Sequence, residues 1–453
     1  MGLQKKLKKL QQSIDDLRSM VSSLKEENAE LRNKISELEV KLKSKKNSTN
    51  SSVPPSQDQN RKRKNTSLRK KTDRKSGGQP GHKGTTLEMN SDPDHIEFHV
   101  PYQCSCCGEL LDAPHELIGK RQVIDIPPIS PTTTEHQIYS VQCKCGILNK
   151  GHYPNSVTAP VCYGSNIEVL INYLSTRQYL SIVRIAEFFH QVLGVKLSQG
   201  TIVNKLDRFT NKCREAYEDI RQNVSKSKVV GADETGCVVN GGKHWMWTWQ
   251  TPSETFIAVS PTRGFRAIED NFPEGLPNSI LVSDCWAAQL KTKAKARQIC
   301  IAHLQRELIY FTQLDQEKWS SKFLKLLQES LKLKTQMKQK LSEGYKKKVR
   351  QIFSKARQLL EVEIKGPPKL LTLKNRLIKR IDCLWTFLYY YDVPPDNNAS
   401  ERAIRNVKVK QKVSGQFKSF NGAENFAITR SIIDTAIKRG LNVFTIMDDI
   451  AQI

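Results

Sequence analysis

Apolar residues recur in steps of three and four over the first part of the chain: Leu3, Leu7, Leu10, Ile14, Leu17, Val21, Leu24, Leu31, Ile35, Leu38 and Leu42, with Asn28 in the one polar place. A period of about 3.5 residues held over this length specifies a left-handed coiled coil. Leu stands at every d position from Leu3 to Leu38, and β-branched Ile14, Val21 and Ile35 stand at a, the combination that favours two parallel strands. Asn28 at a fixes the register, because an unpaired amide in the seam is costly. Residues 1–45 are therefore predicted to form a parallel zipper that makes the chain a homodimer. The alternative, one amphipathic helix packed on its own chain, would show a wider apolar stripe.

The period stops after Lys46, where KNSTNSSVPP reads as a linker that neither helix nor strand tolerates. Between Arg61 and Lys75 there are nine Lys/Arg against Asp73 alone, and the whole chain carries 72 Lys+Arg against 46 Asp+Glu, a net charge of +26. Such a balance points to a polyanion, since cations that neutralise phosphates gain affinity by releasing counterions. Lys62, Arg63, Lys64, Lys70 and Lys71 are the phosphate-binding candidates of this run; a solvated tail or a localisation signal is the plainer reading. GGQPGHKG at 77–84 lacks the preceding strand and following helix of a phosphate loop, so residues 46–100 are expected to be a basic flexible linker. No apolar stretch approaches the ~18 residues of a membrane span and no signal core opens the chain, so a cytoplasmic protein is expected.

Eleven Cys, several isolated in apolar surroundings, argue against a disulfide framework. Cys104-Ser105-Cys106-Cys107-Gly108 and Cys143-Lys144-Cys145-Gly146 each end in a Cys-Gly pair, the layout of a zinc knuckle, in which Gly permits the positive φ of the turn. Cys104, Cys107, Cys143 and Cys145 are the expected ligands of a structural Zn2+ in a module at 101–160, with reduced, metal-free thiols as the alternative. Over 161–225 a helical period appears twice, around Ile182–Phe189 and Ile202–Phe209, separated by Gly194. Ser198 is placed to cap the second helix, and Gln199, Asn204, Lys205 and Arg208 would form its polar face, a helix-turn-helix able to enter a major groove. Simple helix packing is the competing explanation.

Two apolar runs share one design: VVGAD ends in Asp233 and ILVSD ends in Asp284. Buried strands read this way, and a carboxylate at the strand end is where a sheet presents reactive groups. HWMWTWQ and TFIAV are predicted as further strands around a Gly241-Gly242 hairpin turn, and QICIA at 298–302 as a short strand leading into a helix that begins near His303. A helical stretch follows to about Tyr391. DNNASERAIR then starts another helix, with Asn398 or Ser400 as its cap and Glu401 in its first turn among Arg402, Arg405, Lys408, Lys410 and Lys412. Taken alone, Glu401 would be a helix-dipole acid. The three lysines recur every second residue and would share one face of an extended chain.

The order of zipper, NSSVPPSQD linker, GGQPGHKG, cysteine cluster, ADETG, LVSDCWAA, CIAHLQREL and DNNASERAIRNVKVKQKVSGQFKS resembles the transposases of the insertion-sequence-66 family. The C-x-C of the second cysteine pair departs from that family's plainest C-x-x-C form. The resemblance implies a multidomain α+β chain: the coiled coil, a small zinc-knuckle-like module, the helix-turn-helix, and a ribonuclease-H-like catalytic domain at 226–312 and 391–453, interrupted by a helical insertion at 313–390. It maps an Asp-Asp-Glu triad onto Asp233, Asp284 and Glu401, and implies two Mg2+ (or Mn2+) ions. Double-stranded DNA, as element ends and target, would be the substrate, with small accessory proteins of the same element as partners and the bacterial nucleoid as the setting. In-line phosphodiester transfer with two ions agrees with such acids, Asp233 being expected to bridge both. Glu234 should face away by strand alternation, and His303 is a secondary candidate for contacting the scissile phosphate. Two other functions share parts of this pattern, namely a non-enzymatic DNA-binding regulator and a metal-dependent nuclease without strand transfer. The basic run follows the zipper instead of preceding it, which excludes forked basic-zipper geometry.

Overall fold

A computed structural model describes residues 2–43, 81, 83–84, 87–312, 314–315 and 318–452, except that side chains at 3–10, 33 and 36–43 are not described. Helix α1 (Gly2–Lys43) spans the heptad run. Its described apolar side chains are open to solvent, Leu17 at 59% and Leu24 at 51%, and Asn28 Nδ2 donates back to the Leu24 carbonyl at 3.0 Å. The basic candidates Lys62, Arg63, Lys64, Lys70 and Lys71 lie outside the described residues. Among those described, no helix is long and apolar enough to cross a membrane.

The chain divides into two compact units. The smaller takes in residues 62–134 with 192–194 and is irregular over its described part, with one antiparallel bridge between Gln103 and Leu110. The larger holds everything else. After α1 it takes up again with a two-stranded ribbon, β1 (Ser140–Gln142) and β2 (Leu148–Lys150), and continues through α2 (Ser165–Asn172), α3 (Ile182–Leu193), α4 (Gln199–Lys212) and α5 (Arg214–Lys226). Ser198 caps α4 as its position suggested, its hydroxyl accepting from the Thr201 N–H at 3.0 Å.

Next comes a five-stranded mixed sheet: β3 (Val229–Val239), β4 (Gly242–Gln250), β5 (Thr255–Ser260), β6 (Leu276–Ser283) and β7 (Ala294–Ile299), with short helices α6 (Arg266–Glu269) and α7 (Ala287–Lys291) between strands. Its order is β5-β4-β3-β6-β7. The first three strands run antiparallel, and β6 and β7 lie parallel to β3. Beyond the sheet lie α8 (Ile301–Thr312), α9 (Trp319–Thr335), α10 (Glu343–Glu361) and α11 (Pro368–Lys379), two single 3-10 turns within 381–388, then α12 (Asn398–Ser414), α13 (Phe420–Lys438) and α14 (Val443–Ala451).

Strand alternation and the covering helices sort the described sheet residues into three cores, the smallest made by Cys237, Val239, Met246 and Ile257 with Val407, Phe417 and Phe426. Ile280, Val282 and Ile299 face helices α8 to α11, where Trp319, Phe323, Trp385 and Phe387 fill a core with essentially no exposure. Val230, Ala232, Trp247, Trp249 and Leu281 face the opposite way, onto Phe209, Ile220, Val224, Ile432 and Met447 of the flanking helices. The helices after β7 thus share a hydrophobic core with the sheet.

Two strand limits differ from expectation. β3 continues six residues past Asp233, because its antiparallel pairing with β4 runs to Val239, whereas its parallel pairing with β6 ends at Gly231. QICIA is not one strand: β7 stops at Ile299 and α8 begins at Ile301, two residues before His303.

Candidate active site

Asp233 and Asp284 lie where the parallel pair β3/β6 runs out. The register sets Gly231 opposite Val282, and carried on by two residues it sets Asp233 beside Asp284, on the sheet face that α12 and α8 cover. Clefts beyond the carboxyl ends of parallel strands are where open sheets gather reactive groups. Glu234 points the other way, as alternation requires. Its buried carboxylate accepts from Arg263 Nη2 at 2.7 Å and from Gln289 Nε2 at 2.6 Å, and the Arg263 guanidinium stacks 3.7 Å from the centre of the Trp286 ring.

Glu401 reaches the same place from the first turn of α12, and the means is a buried lock that the sequence reading did not find. Asn397 Nδ2 donates to the Ala232 carbonyl at 2.7 Å, and Ser400 Oγ donates to Asn397 Oδ1 at 2.6 Å. Both side chains are buried. Gly231 makes room for them: a Cβ there would stand 2.5 Å from Ser400 Oγ and 3.1 Å from Asn397 Oδ1. The residue preceding the helix is Asn397, not Asn398 or Ser400, and Asp396 Oδ1 accepts the Asn398 N–H at 3.0 Å. Ser400 faces the sheet interior because Gly231 leaves it space.

His303 joins the acids. Its Nε2 lies 3.0 Å from Glu401 Oε1 and 3.4 Å from Asp284 Oδ2, while Arg306 Nη2 lies 3.5 Å from Glu401 Oε1 and Arg405 Nη2 lies 3.9 Å from Glu401 Oε2. The electrostatics divide the three carboxyls. Burial, then the facing Asp284 and the neighbouring Glu234, push Asp233 well above the usual carboxylate range. Burial also raises Asp284, against the opposing pull of His303. The hydrogen bond from His303, with Arg306 and Arg405 nearby, holds Glu401 below its ordinary value. Asp284 Oδ1 is buried with no hydrogen-bond partner among the described residues. Crowded, partly dehydrated carboxylates and an orphaned acceptor fit a hard divalent cation, which takes carboxylate oxygens.

The basic candidates separate by position. Arg402, Arg405, Lys408 and Lys412 are exposed on α12. Lys408, Lys410 and Lys412 do not share a face, because the segment is helical and not extended. Lys410 turns inward, donating to the Ser175 and Leu180 carbonyls at 3.1 Å each, and burial lowers its pKa to about 8. Lys408 donates to the Gly236 carbonyl at 2.5 Å. On α4, Gln199, Asn204 and Arg208 are exposed, whereas Lys205 is held by Glu168 Oε2 and the Tyr163 carbonyl at 3.0 Å each.

Each cysteine pair forms its own tight turn. Gly108 N–H closes onto the Cys104 carbonyl at 2.9 Å with Gly108 at φ +75°, and Gly146 N–H closes onto the Cys143 carbonyl at 2.8 Å with Gly146 at φ +88°. The Cys107 and Cys106 N–H groups lower the Cys104 thiol, and the Cys145 N–H lowers Cys143, the bias a metal-binding thiolate needs.

Residues 101–146, which include both turns, match the zinc-finger binding domain of transposase IS66, and this supports a structural Zn2+. Residues 3–88 match a family of unknown function. No curated protein matches the sequence. Residues 161–425, which contain the sheet, helices α8 to α12, and all of Asp233, Asp284, His303 and Glu401, match the family described as Transposase IS66 family, more than half of the chain, and the protein belongs to that family.

Proposed function

We propose that the chain cuts DNA at the ends of an insertion sequence and joins them to a target, using Asp233, Asp284 and Glu401 as an Asp-Asp-Glu triad on a ribonuclease-H-like sheet. The observation that carries this reading is the convergence of Asp284 and Glu401 on one His303 nitrogen, with Asp233 near enough to both acids for their charges to raise it. The order of three antiparallel strands followed by two parallel ones supports the fold assignment. Two Mg2+ or Mn2+ ions bound there would activate the attacking oxygen and stabilise the leaving one in an in-line displacement. Asp233, the most enclosed of the acids, would hold both ions, and Asp284 and Glu401 would each hold one. His303 and Arg306 hold Glu401 in place, and the Arg306 guanidinium keeps a cationic donor beside the phosphate. Arg402, Arg405, Lys408 and Lys412 meet the DNA backbone next to the acids, while Lys410 serves the fold.

In the same reading, α1 pairs two chains as a parallel coiled coil, α3 and α4 contact the element ends through Gln199, Asn204 and Arg208, and Cys104, Cys107, Cys143 and Cys145 share one Zn2+. The test is cleavage and joining of labelled DNA carrying the element's own ends, with Mg2+, comparing wild type and Glu401→Gln. Loss of both activities with DNA binding retained is expected. Equal activity would remove Glu401 from the triad, and cleavage without joining would make the protein a nuclease.

A further inference from the structure

We infer that the start of α8 builds a site for a soft divalent ion of the Zn2+ class, formed by Asp284, Cys300 and His303, and that this ion antagonises the hard-cation centre with which it shares Asp284. The binding stands on its own geometry; its consequence for activity rests on the cleavage reading above.

The ligand atoms of these three residues lie within 4.8 Å of one another. In a tetrahedral zinc site, neighbouring sulfur, nitrogen and oxygen ligands lie roughly 3.3–3.8 Å apart, so closing the site asks for shifts of about 1 Å. The backbone supplies the arrangement. Cys300 donates its N–H to the Ser283 carbonyl at 2.9 Å, which pins it beside the residue that carries Asp284. Three positions on, His303 is one helical turn away and therefore on the same side of α8. The Cys300 sulfur accepts the Asn397 N–H at 3.2 Å, a bond that also stabilises a thiolate. Asp284 Oδ1 is buried without a hydrogen-bond partner among the described residues.

Charge balances in this site as it does not among carboxylates alone. One thiolate and one carboxylate neutralise a divalent ion while His303 binds through a neutral nitrogen. Cys300 is buried, and burial holds its thiol up at about 12, so the free residue is inert. Binding breaks the S–H bond, forms a sulfur–metal bond and releases one proton to solvent. Mg2+ does not take thiolates, whereas Zn2+ and Co2+ do, so the two classes of ion sort themselves between overlapping ligand sets. The His303 nitrogen taken by the soft ion is the one that now holds Glu401. Occupancy would therefore withdraw Asp284 from the triad and release Glu401 together.

The experiment titrates Co2+ into the metal-stripped full-length chain and follows sulfur-to-cobalt charge-transfer absorption, in wild type, Cys300→Ser and His303→Gln. The cysteine-rich module at 101–146 contributes equally in all three. Wild type is expected to bind one further thiolate-bound equivalent, which both variants lack. Equal uptake in all three, or an extra equivalent that survives Cys300→Ser, overturns the site. Thermal melts check folding, and if Cys300→Ser does not fold, His303→Gln decides alone. In parallel, added Zn2+ is scored against Mg2+-driven DNA cleavage, each variant relative to its own zinc-free rate. A roughly 10-fold or greater loss of zinc sensitivity in Cys300→Ser is expected; unchanged sensitivity overturns the antagonism. A chain that does not cleave DNA refutes the cleavage reading and leaves the cobalt titration to decide the site.

Discussion

Replacing Asn397 by Ala removes two buried hydrogen bonds at one stroke, leaving the Ala232 carbonyl and the Ser400 hydroxyl without their partner. Each stranded buried group costs about 1–3 kcal/mol, so the junction between β3 and α12 should weaken by about 2–6 kcal/mol. In a unit of this size that corresponds to a melting transition about 3–8 °C lower. The effect on chemistry should be larger than the effect on stability, because Glu401 takes its place from this turn, and a displacement of about 1 Å can cost ~100-fold in rate. The assay pairs calorimetry with cleavage of end-labelled element DNA, and filter binding checks that affinity is retained. Adding Ser400→Ala to Asn397→Ala should cost about 1 kcal/mol less than the two single effects summed, since the second change removes a group the first had stranded. Wild-type melting and cleavage in Asn397→Ala, or strict additivity in the double variant, would refute the lock.

Gly231→Ala should reproduce this phenotype from the strand side, because the new methyl group meets Ser400 and Asn397; a loss of about 1–3 kcal/mol and a matching fall in cleavage are expected from calorimetry and the same DNA assay. Lys412→Ala should lower the slope of log affinity against log salt by about 0.9, while Lys410→Met leaves that slope unchanged. Lys410 also predicts a pH effect: with a folded value near 8 against 10.5 unfolded, the folded state binds fewer protons between them, so its penalty is full below pH 8 and relieved as pH rises through that window. Denaturation from pH 7 to 10.5 should show a stability gain on the order of 3 kcal/mol in wild type that Lys410→Met lacks. Arg263→Met strips the guanidinium from the buried Glu234 carboxylate and should cost about 3 kcal/mol in chemical denaturation. Leu17→Lys with Leu24→Lys places charges in the α1 seam, and sedimentation should then report monomer where wild type sediments as dimer.

Features written in local periodicity were legible in the sequence. The heptad residues form one helix, Ser198 caps α4, the apolar runs before Asp233 and Asp284 are neighbouring strands, and Glu234 faces away from Asp233. What was not legible depends on partners far away along the chain. Gly231 looks like any small residue in a strand until Ser400 is packed against it. Asn397 looks like one of two interchangeable asparagines until its amide meets a carbonyl 165 positions earlier. Cys300 reads as an apolar filler because its neighbours in sequence are apolar, whereas its neighbours in space are Asp284 and His303. The alternating lysines of α12 misled for a related reason, since a period of two means one face only when the chain is extended, and here Asn397, Ser400 and Gly231 start a helix.

The separation of Glu401 from the other acids has a consequence in time. Asp284 and His303 leave the ribosome together, but their partner follows 98 positions after His303, behind helices that must themselves pack before the turn at Asn397 can close on β3. If these residues form the proposed triad, a nascent chain cannot cut DNA until Glu401 and the turn that carries it have been made. On the proposed function, a product ending before Glu401 would keep α1 and the α3–α4 segment without the third acid of the triad, so early termination would yield a competitor for the element's ends and a brake on the longer protein.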